Sequence, residues 1–90
     1  MEKTFKITNE DGIHARPATA LVNTANKFKS EVFAESKGKK VTVKSILSVL
    51  SLGVESGDII TFSANGEDEA EAIAAIQEII LNEGLGELNG

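Results

Sequence analysis

The chain has 90 residues, 41% of them hydrophobic, which is enough for one modest core and predicts a single domain over residues 1–90. The absence of cysteine excludes disulfide scaffolds and thiolate metal sites, and the net charge of −5 disfavours general nucleic-acid binding. Neither a long apolar run nor a signal-type segment is visible, so we expect a cytoplasmic protein without membrane insertion.

The charges are segregated along the chain. All nine basic residues lie between Lys3 and Lys44, where five acids accompany them and leave a net charge of +4 over the first fifty residues. From Ser51 onward, nine acids and no base give −9. An acidic second half is typical of a solvated helix, while the first half has room for a local basic site.

The first forty residues alternate between strand and helix patterns. Residues 4–8 place Phe5 and Ile7 on one face and predict a first strand. From Pro17 to Phe28, apolar side chains recur at helical spacing, which predicts an amphipathic helix with the proline in its first turn.

A β-hairpin is predicted next. Residues 31–36 and 39–44 read as two short strands around Lys37-Gly38, with Val41 and Val43 facing the core. A sheet covered by helices on one side keeps a polar open face. The residues suited to that face are Lys6, Thr8, Thr42 and Lys44.

A short helix and a fourth strand follow the hairpin. Ser45 is suited to cap a helix over residues 46–52 that ends at Gly53. Residues 59–64 alternate again, which predicts the fourth strand.

A long helix completes the pattern. Asp68 and Glu71 resemble a capping box at its start, the apolar pattern runs through residue 82, and Gly84 followed by Leu85 resembles a glycine stop. The element order predicts an α+β fold, an open-faced two-layer sandwich with four antiparallel strands and three helices on one face.

The candidate site lies at the start of the first helix. His14 is the only histidine, and a helix start presents free N–H groups and the positive end of the helix dipole. A phosphate on His14 would therefore meet the backbone amides of Ala15 and Arg16. The Arg16 guanidinium adds a permanent charge that suits phosphate oxygens.

This set of residues favours phosphoryl transfer over hydrolysis or metal chemistry. Neutral imidazole is a competent nucleophile and can pass a phosphoryl group onward. The sequence offers no obvious second base to activate water, and His14 has no His or Cys companion for a metal. We therefore expect neither a metal nor a cofactor.

Two motifs resemble HPr, the histidine-containing phosphocarrier family of the bacterial phosphoenolpyruvate-dependent sugar phosphotransferase system. Residues 12–18, Gly-Ile-His-Ala-Arg-Pro-Ala, match its active-site signature, and residues 43–53 resemble its regulatory serine signature. The resemblance covers essentially the whole chain. It implies a sheet with strand order 1-4-2-3 and a carrier rather than an enzyme.

The resemblance also implies a role for individual residues, as in low-GC Gram-positive bacteria. His14 would accept the phosphoryl group from enzyme I and give it to the IIA domains of sugar permeases, with Arg16 stabilising the phosphate. Ser45 would be phosphorylated by HPr kinase/phosphorylase. The serine-phosphorylated form would then bind the catabolite control protein in carbon catabolite repression.

The short helix is apolar nearly all round, which a two-turn element cannot fully bury. Some of its side chains, Ile46, Leu47 and Leu50, are therefore predicted to form a partner-docking patch on a protein expected to be a monomer. Two alternatives remain. One is an HPr-like regulatory protein without a sugar-transport role, against which the presence of His14 argues. The other is a small module that binds RNA or protein, against which the scarcity of aromatic residues and the net charge argue.

Overall fold

The structure is a computed structural model that describes residues 1–89. Its helices and strands follow the predicted order, with one additional strand at the C-terminal end. The elements are β1 (Glu2–Ile7), α1 (Ala15–Ala25), β2 (Glu31–Ser36), β3 (Lys39–Thr42), α2 (Ile46–Ser51), β4 (Ile59–Asn65), α3 (Glu69–Asn82) and β5 (Gly86–Leu88).

All strand pairs are antiparallel, and the sheet has the order β3-β2-β4-β1-β5. The predicted α+β fold and the order 1-4-2-3 are confirmed for the first four strands. The fifth strand was not predicted, because three residues beginning with a glycine carry no alternating pattern. It pairs with the outer edge of β1, where Gly86 lies opposite Ile7.

The core lies between the sheet and the three helices. Alternate residues of β1 and β4 point into it, and the rings of Phe5 and Phe62 meet edge to face with their centroids 6.0 Å apart. Leu21 of α1 and Ile76 of α3 are fully buried from the helical side. The buried apolar residues form one cluster, which fixes where α1 can begin.

Helix α1 is displaced from its predicted bounds. It begins at Ala15, two residues before Pro17, and the proline occupies a first-turn position where an N–H has no partner in the helix. The helix ends at Ala25. Phe28 therefore packs against the core from the turn that follows.

The predicted capping box at α3 is wrong. The Asp68 carboxylate makes no capping bond to its own helix and instead accepts hydrogen bonds from the backbone N–H groups of Lys29 and Ser30 and from the Ser30 hydroxyl. Glu69, not Glu71, reaches back to accept from the N–H of Gly66. These contacts tie the start of α3 to the entry of β2.

The glycine stop of α3 is confirmed. Gly84 has φ +65°, and the N–H of Leu85 donates to the Ile80 carbonyl at 2.9 Å. A second bond runs from Gly84 N–H to Leu81 O at 3.3 Å, which completes the Schellman pattern. Leu85 is buried as a result.

The open face is polar, but two residues assigned to it lie elsewhere. Thr8 follows the end of β1, and Lys44 follows β3, with its Nζ donating to the Phe28 carbonyl at 2.8 Å. Both residues of the β2–β3 turn have positive φ, 54° at Lys37 and 79° at Gly38, as a type I′ turn requires.

Asp68 makes the fold sensitive to acid. Hydrogen bonds from the Ser30 hydroxyl and from backbone N–H groups hold the pKa of the Asp68 carboxyl at about 2, below its ordinary value of 3.8. Because the folded state binds this proton more weakly than the unfolded chain, the stabilisation is complete above about pH 4 and is lost as the pH falls toward about 2. We predict that Asp68→Asn lowers Tm at neutral pH and flattens the fall of Tm over that range.

Thermal unfolding followed by circular dichroism at a series of pH values measures this effect. Glu67→Gln is the matched control, since within residues 1–89 the Glu67 carboxylate pairs only with the exposed Lys29 ammonium, at 3.3 Å, and contributes little. An Asp68→Asn curve parallel to that of the wild type would contradict the assignment.

Candidate functional site

The segment that presents His14 is the loop of residues 8–13 between β1 and α1, and two distant carbonyls anchor it. The Leu85 carbonyl accepts hydrogen bonds from the N–H groups of Thr8 at 2.9 Å and Asn9 at 3.3 Å. On the other side, the Val54 carbonyl accepts from Ile13 N–H at 3.1 Å. The loop is thus held at both ends by segments far away in the sequence.

Gly12 allows the close approach on the Val54 side. Its φ is +61°, and a Cβ placed on it would lie 2.2 Å from the Val54 carbonyl oxygen. The Asn9 side-chain amide donates to the Gly12 carbonyl at 2.8 Å and closes the turn. The sequence does not reveal this contact, because Val54 is forty-two positions away from Gly12 and no local pattern connects them.

His14 is the N-cap of α1, with extended backbone and a carbonyl that accepts from Ala18 N–H at 3.0 Å. Its imidazole makes no capping bond, and the side chain is 45% exposed. In residues 1–89, the N–H groups of Ala15 and Arg16 have no hydrogen-bond acceptor, and Pro17 has no N–H. The structure therefore brings His14 and the predicted amides together at one helix start.

Both a positively and a negatively charged side chain lie near the imidazole. The exposed Arg16 forms no ion pair or side-chain hydrogen bond with any residue the structure describes. Asp11, which sequence reasoning missed, has its carboxylate oxygen Oδ2 3.8 Å from His14 Nε2. A shallow cleft opens here, and its lining residues are Asn9, His14, Arg16, Pro17, Glu83 and Leu85.

This arrangement suits a transient anion on a nucleophile. The imidazole is accessible, the free N–H groups lie at the positive end of α1, and the Arg16 side chain lines the same cleft. Within residues 1–89, no three His, Cys, Asp or Glu side chains are grouped as metal ligands. None of the helices described has the length and apolar character to cross a membrane.

Ser45 and its helix form a second candidate region. Ser45 is the N-cap of α2, as predicted, and its hydroxyl oxygen accepts from the N–H of Ser48 at 3.3 Å. Val49 is buried on the inner side. The predicted docking patch is exposed, with Leu47 the most accessible at 80%, and consists of Ile46, Leu47 and Leu50.

His14 and Ser45 are not adjacent. The start of α1 lies beside the segment after α2, through the Ile13–Val54 bond, whereas Asn26 at the end of α1 donates to the Lys44 carbonyl at 3.4 Å. Helix α1 has eleven residues and so spans about 16 Å. The two helix starts therefore lie near opposite ends of α1.

The close approach at Gly12 predicts a stability effect that a control can isolate. Gly53 has φ +59°, nearly the same as Gly12, but a Cβ there would meet open space. We expect Gly53→Ala to cost about 1 kcal/mol from backbone strain alone, and Gly12→Ala at least about 3 kcal/mol because the loop must also move away from Val54. Chemical denaturation measures both, and equal losses would show that the Val54 contact is unimportant.

Comparison with known proteins agrees with the geometry. Residues 1–82 match the family model described as the PTS HPr component phosphorylation site. The fold is similar to a histidine-containing phosphocarrier protein from Mycoplasma, with 33% identity, full coverage of both chains and a TM-score of 0.93. It is also similar to HPr-C-His from Thermoanaerobacter tengcongensis, with 46% identity, a TM-score of 0.87, and coverage of 92% of this chain and 93% of that one.

A third similar structure is Crh, the catabolite repression protein of Bacillus subtilis, with 42% identity, a TM-score of 0.73, and coverage of 87% of this chain and 90% of that one. That protein is described as a swapped dimer, and a further T. tengcongensis HPr structure is also a dimer, so the comparisons do not support the expected monomer. The family consists of phosphocarriers rather than enzymes. With its matching sequence, sheet order and helix-start histidine, this chain belongs to the HPr phosphocarrier family.

Proposed function

We propose that this phosphocarrier accepts a phosphoryl group from phospho-enzyme I on His14 and passes it to the IIA domains of sugar permeases in the cytoplasm. One observation carries the proposal: the only imidazole of the chain is half-exposed at the start of α1, beside two free backbone N–H groups. The exposed Arg16 supports the same role, because it has no competing ion pair among the described residues.

For the transfer, the carrier has to position the imidazole and the groups that bind the phosphate. An unprotonated ring nitrogen of His14 donates its lone pair to phosphorus, the N–P bond forms, and the bond between phosphorus and the donor group of enzyme I breaks. The attacking nitrogen bears no proton, so no base has to remove one. The phosphate oxygens then face the N–H groups of Ala15 and Arg16 and the guanidinium, which hold the charge until an IIA domain takes the group.

A relay assay with phosphoenolpyruvate, enzyme I and a IIA domain tests this proposal. We expect the wild type to gain one acid-labile phosphate and to lose it to the IIA domain, and His14→Ala to gain none. Arg16→Ala should slow transfer by about tenfold to about a hundredfold, because it removes charge-assisted hydrogen bonds to the phosphate.

Two further variants separate geometry from charge in this assay. Arg16→Lys retains the charge without the planar fork and should fall between the wild type and Arg16→Ala. Lys40→Ala removes an exposed cation on β3, with its ammonium over the Phe33 ring on the open face of the sheet, and should leave the rate unchanged. A phosphate retained on His14→Ala would overturn the assignment, and an unaffected Arg16→Ala rate would leave the backbone amides as the only anion site.

We propose in addition that Ser45 is a regulatory switch. HPr kinase/phosphorylase would phosphorylate its hydroxyl, and the phosphorylated form would bind the catabolite control protein. Supporting this role, Ser45 directly precedes the exposed patch of Ile46, Leu47 and Leu50. A phosphate at a helix N-cap is also favoured by the helix dipole.

The length of α1 indicates how such a switch would act. At about 16 Å from the start of α1, a phosphate on Ser45 lies beyond the screening length of about 8 Å at physiological ionic strength. Direct repulsion between the two phosphates is therefore weak. Inhibition therefore requires a partner that covers both His14 and the docking patch. The phosphate on Ser45 would then lie within the interface with that partner and weaken its binding.

A charge placed at Ser45 should therefore weaken docking more than chemistry. We predict that Ser45→Asp raises the KM for enzyme I by about fivefold, equivalent to about 1 kcal/mol, and leaves kcat nearly unchanged. Initial rates of His14 phosphorylation across enzyme I concentrations give both constants.

The matched charge control is Asn65→Asp on β4, at the open face of the sheet away from α2, where the wild-type KM should persist. Ser45→Ala should also behave as the wild type. If Ser45→Asp and the enzymatically phosphorylated protein both match the wild type, Ser45 is a helix cap without a regulatory role.

The similarity to Crh favours one alternative, a regulatory HPr-like protein without a role in sugar transport. Such a protein would use the serine and the docking patch for regulation alone, and the presence of His14 argues against it. The relay assay distinguishes the two functions, because only a sugar-transport carrier would pass its phosphate to a IIA domain.

A further inference from the structure

We propose that the C-terminal segment Gly84–Asn89, here called the C-terminal strap, positions His14 for phosphoryl transfer, with Leu85 as the positioning residue. This inference rests on the proposed carrier function and adds to it a part of the chain that lies outside the matched family region of residues 1–82. The strap is hydrogen-bonded to the start of the loop that carries the imidazole, through the Leu85 carbonyl.

The strap holds one of the two anchors of the 8–13 loop. Both hydrogen bonds at the start of this loop, from Thr8 and Asn9, go to a single acceptor, the Leu85 carbonyl. The other anchor, Ile13 to Val54, lies next to His14. If the strap anchor is lost, β1 stays bonded through Ile7 to Gly57 and Asp58, but Thr8 and Asn9 lose their acceptor, and the loop that leads to His14 can shift relative to β1.

Leu85 is itself held firmly. Its N–H donates to Ile80 through the Schellman pattern, and its side chain is 4% exposed within the core. It also lines the cleft that contains His14 and Arg16. The Leu85 side chain thus sets the place of the carbonyl on which the loop depends.

The rest of the strap keeps Leu85 in register with β1. Gly86 pairs with Ile7, and a Cβ on Gly86 would lie 2.3 Å from the Lys6 carbonyl oxygen, so only glycine permits this approach. Further along, Asn89 N–H donates to the Thr4 carbonyl at 2.9 Å. Strand β5 therefore fixes the end of β1 directly before the loop of residues 8–13.

Misplacing a reacting group by about 1 Å can cost up to about a hundredfold in rate, which makes small movements of this loop measurable. We expect Leu85→Ala to lower the kcat for phosphorylation of His14 by about tenfold. The KM for enzyme I should remain unchanged, because the substitution does not alter the docking patch on α2. Leu85→Met should restore most of the rate by refilling the core.

Two controls exclude a general loss of stability. Leu81→Ala truncates a 45% exposed leucine on α3, outside the strap, and should leave kcat within about twofold of the wild type. Val32→Ala empties a buried position in β2, away from the His14 cleft, and should lower Tm without lowering kcat at a temperature where the protein is folded. Gly86→Ala is a second strap variant, which displaces β5 but retains Leu85.

The deciding experiment measures kcat, KM and amide hydrogen exchange of Thr8 and Asn9 for all these variants at a temperature where each is folded. A fall in kcat together with faster exchange at these two amides, in Leu85→Ala or, should that variant not fold, in Gly86→Ala, supports the strap. Wild-type kcat in the folded strap variants overturns it, as does an equal loss in Val32→Ala. A wild type that enzyme I does not phosphorylate would refute the carrier function instead, which keeps the two failures distinct.

Discussion

The contact between the Gly12 backbone and the Val54 carbonyl is the constraint on which the site depends. Only a residue without a side chain can adopt φ +61° this close to the carbonyl oxygen. The contact seats the end of the loop so that Ile13 is buried and His14 follows at the surface. The start of α1, with its free N–H groups, is then directed at the same cleft as the imidazole.

The rest of the molecule supports that arrangement from a distance. The core between sheet and helices fixes α1, while the Asp68 carboxylate ties the start of α3 to the entry of β2. The α2 helix contributes little to the core beyond Val49, and its remaining apolar side chains stay available to a partner. The structure thus combines an anchored loop that presents the histidine with an exposed apolar surface on α2.

Much of this could be predicted from local patterns. Alternation, helical spacing, the Ser45 cap and the Gly84 stop depend on neighbouring residues, and the structure confirms the four strands, three helices and both of these helix ends. The predictions that failed are those for which tertiary contacts determine the hydrogen-bond partners of a residue. Asp68 has a suitable local partner at Glu71 but binds the segment at Ser30 instead, because the core brings that segment's N–H groups and hydroxyl within reach.

The candidate site shows the same division. His14, Arg16 and the free amides were predictable because they share one helix start, whereas Glu83 and Leu85 enter the cleft only through the fold. Strand β5 was missed because three residues carry too little pattern, although its register with β1 is set by the absence of a side chain at Gly86.

The most direct test is the change in the amide NMR signals when the protein is phosphorylated by enzyme I and phosphoenolpyruvate. If the phosphoryl group is held on His14 by the start of α1, the largest shifts occur at the N–H groups of Ala15 and Arg16, and they reverse when the group is removed. A phosphorylated protein in which these two signals stay in place, with the largest shifts elsewhere, would contradict the proposed anion site.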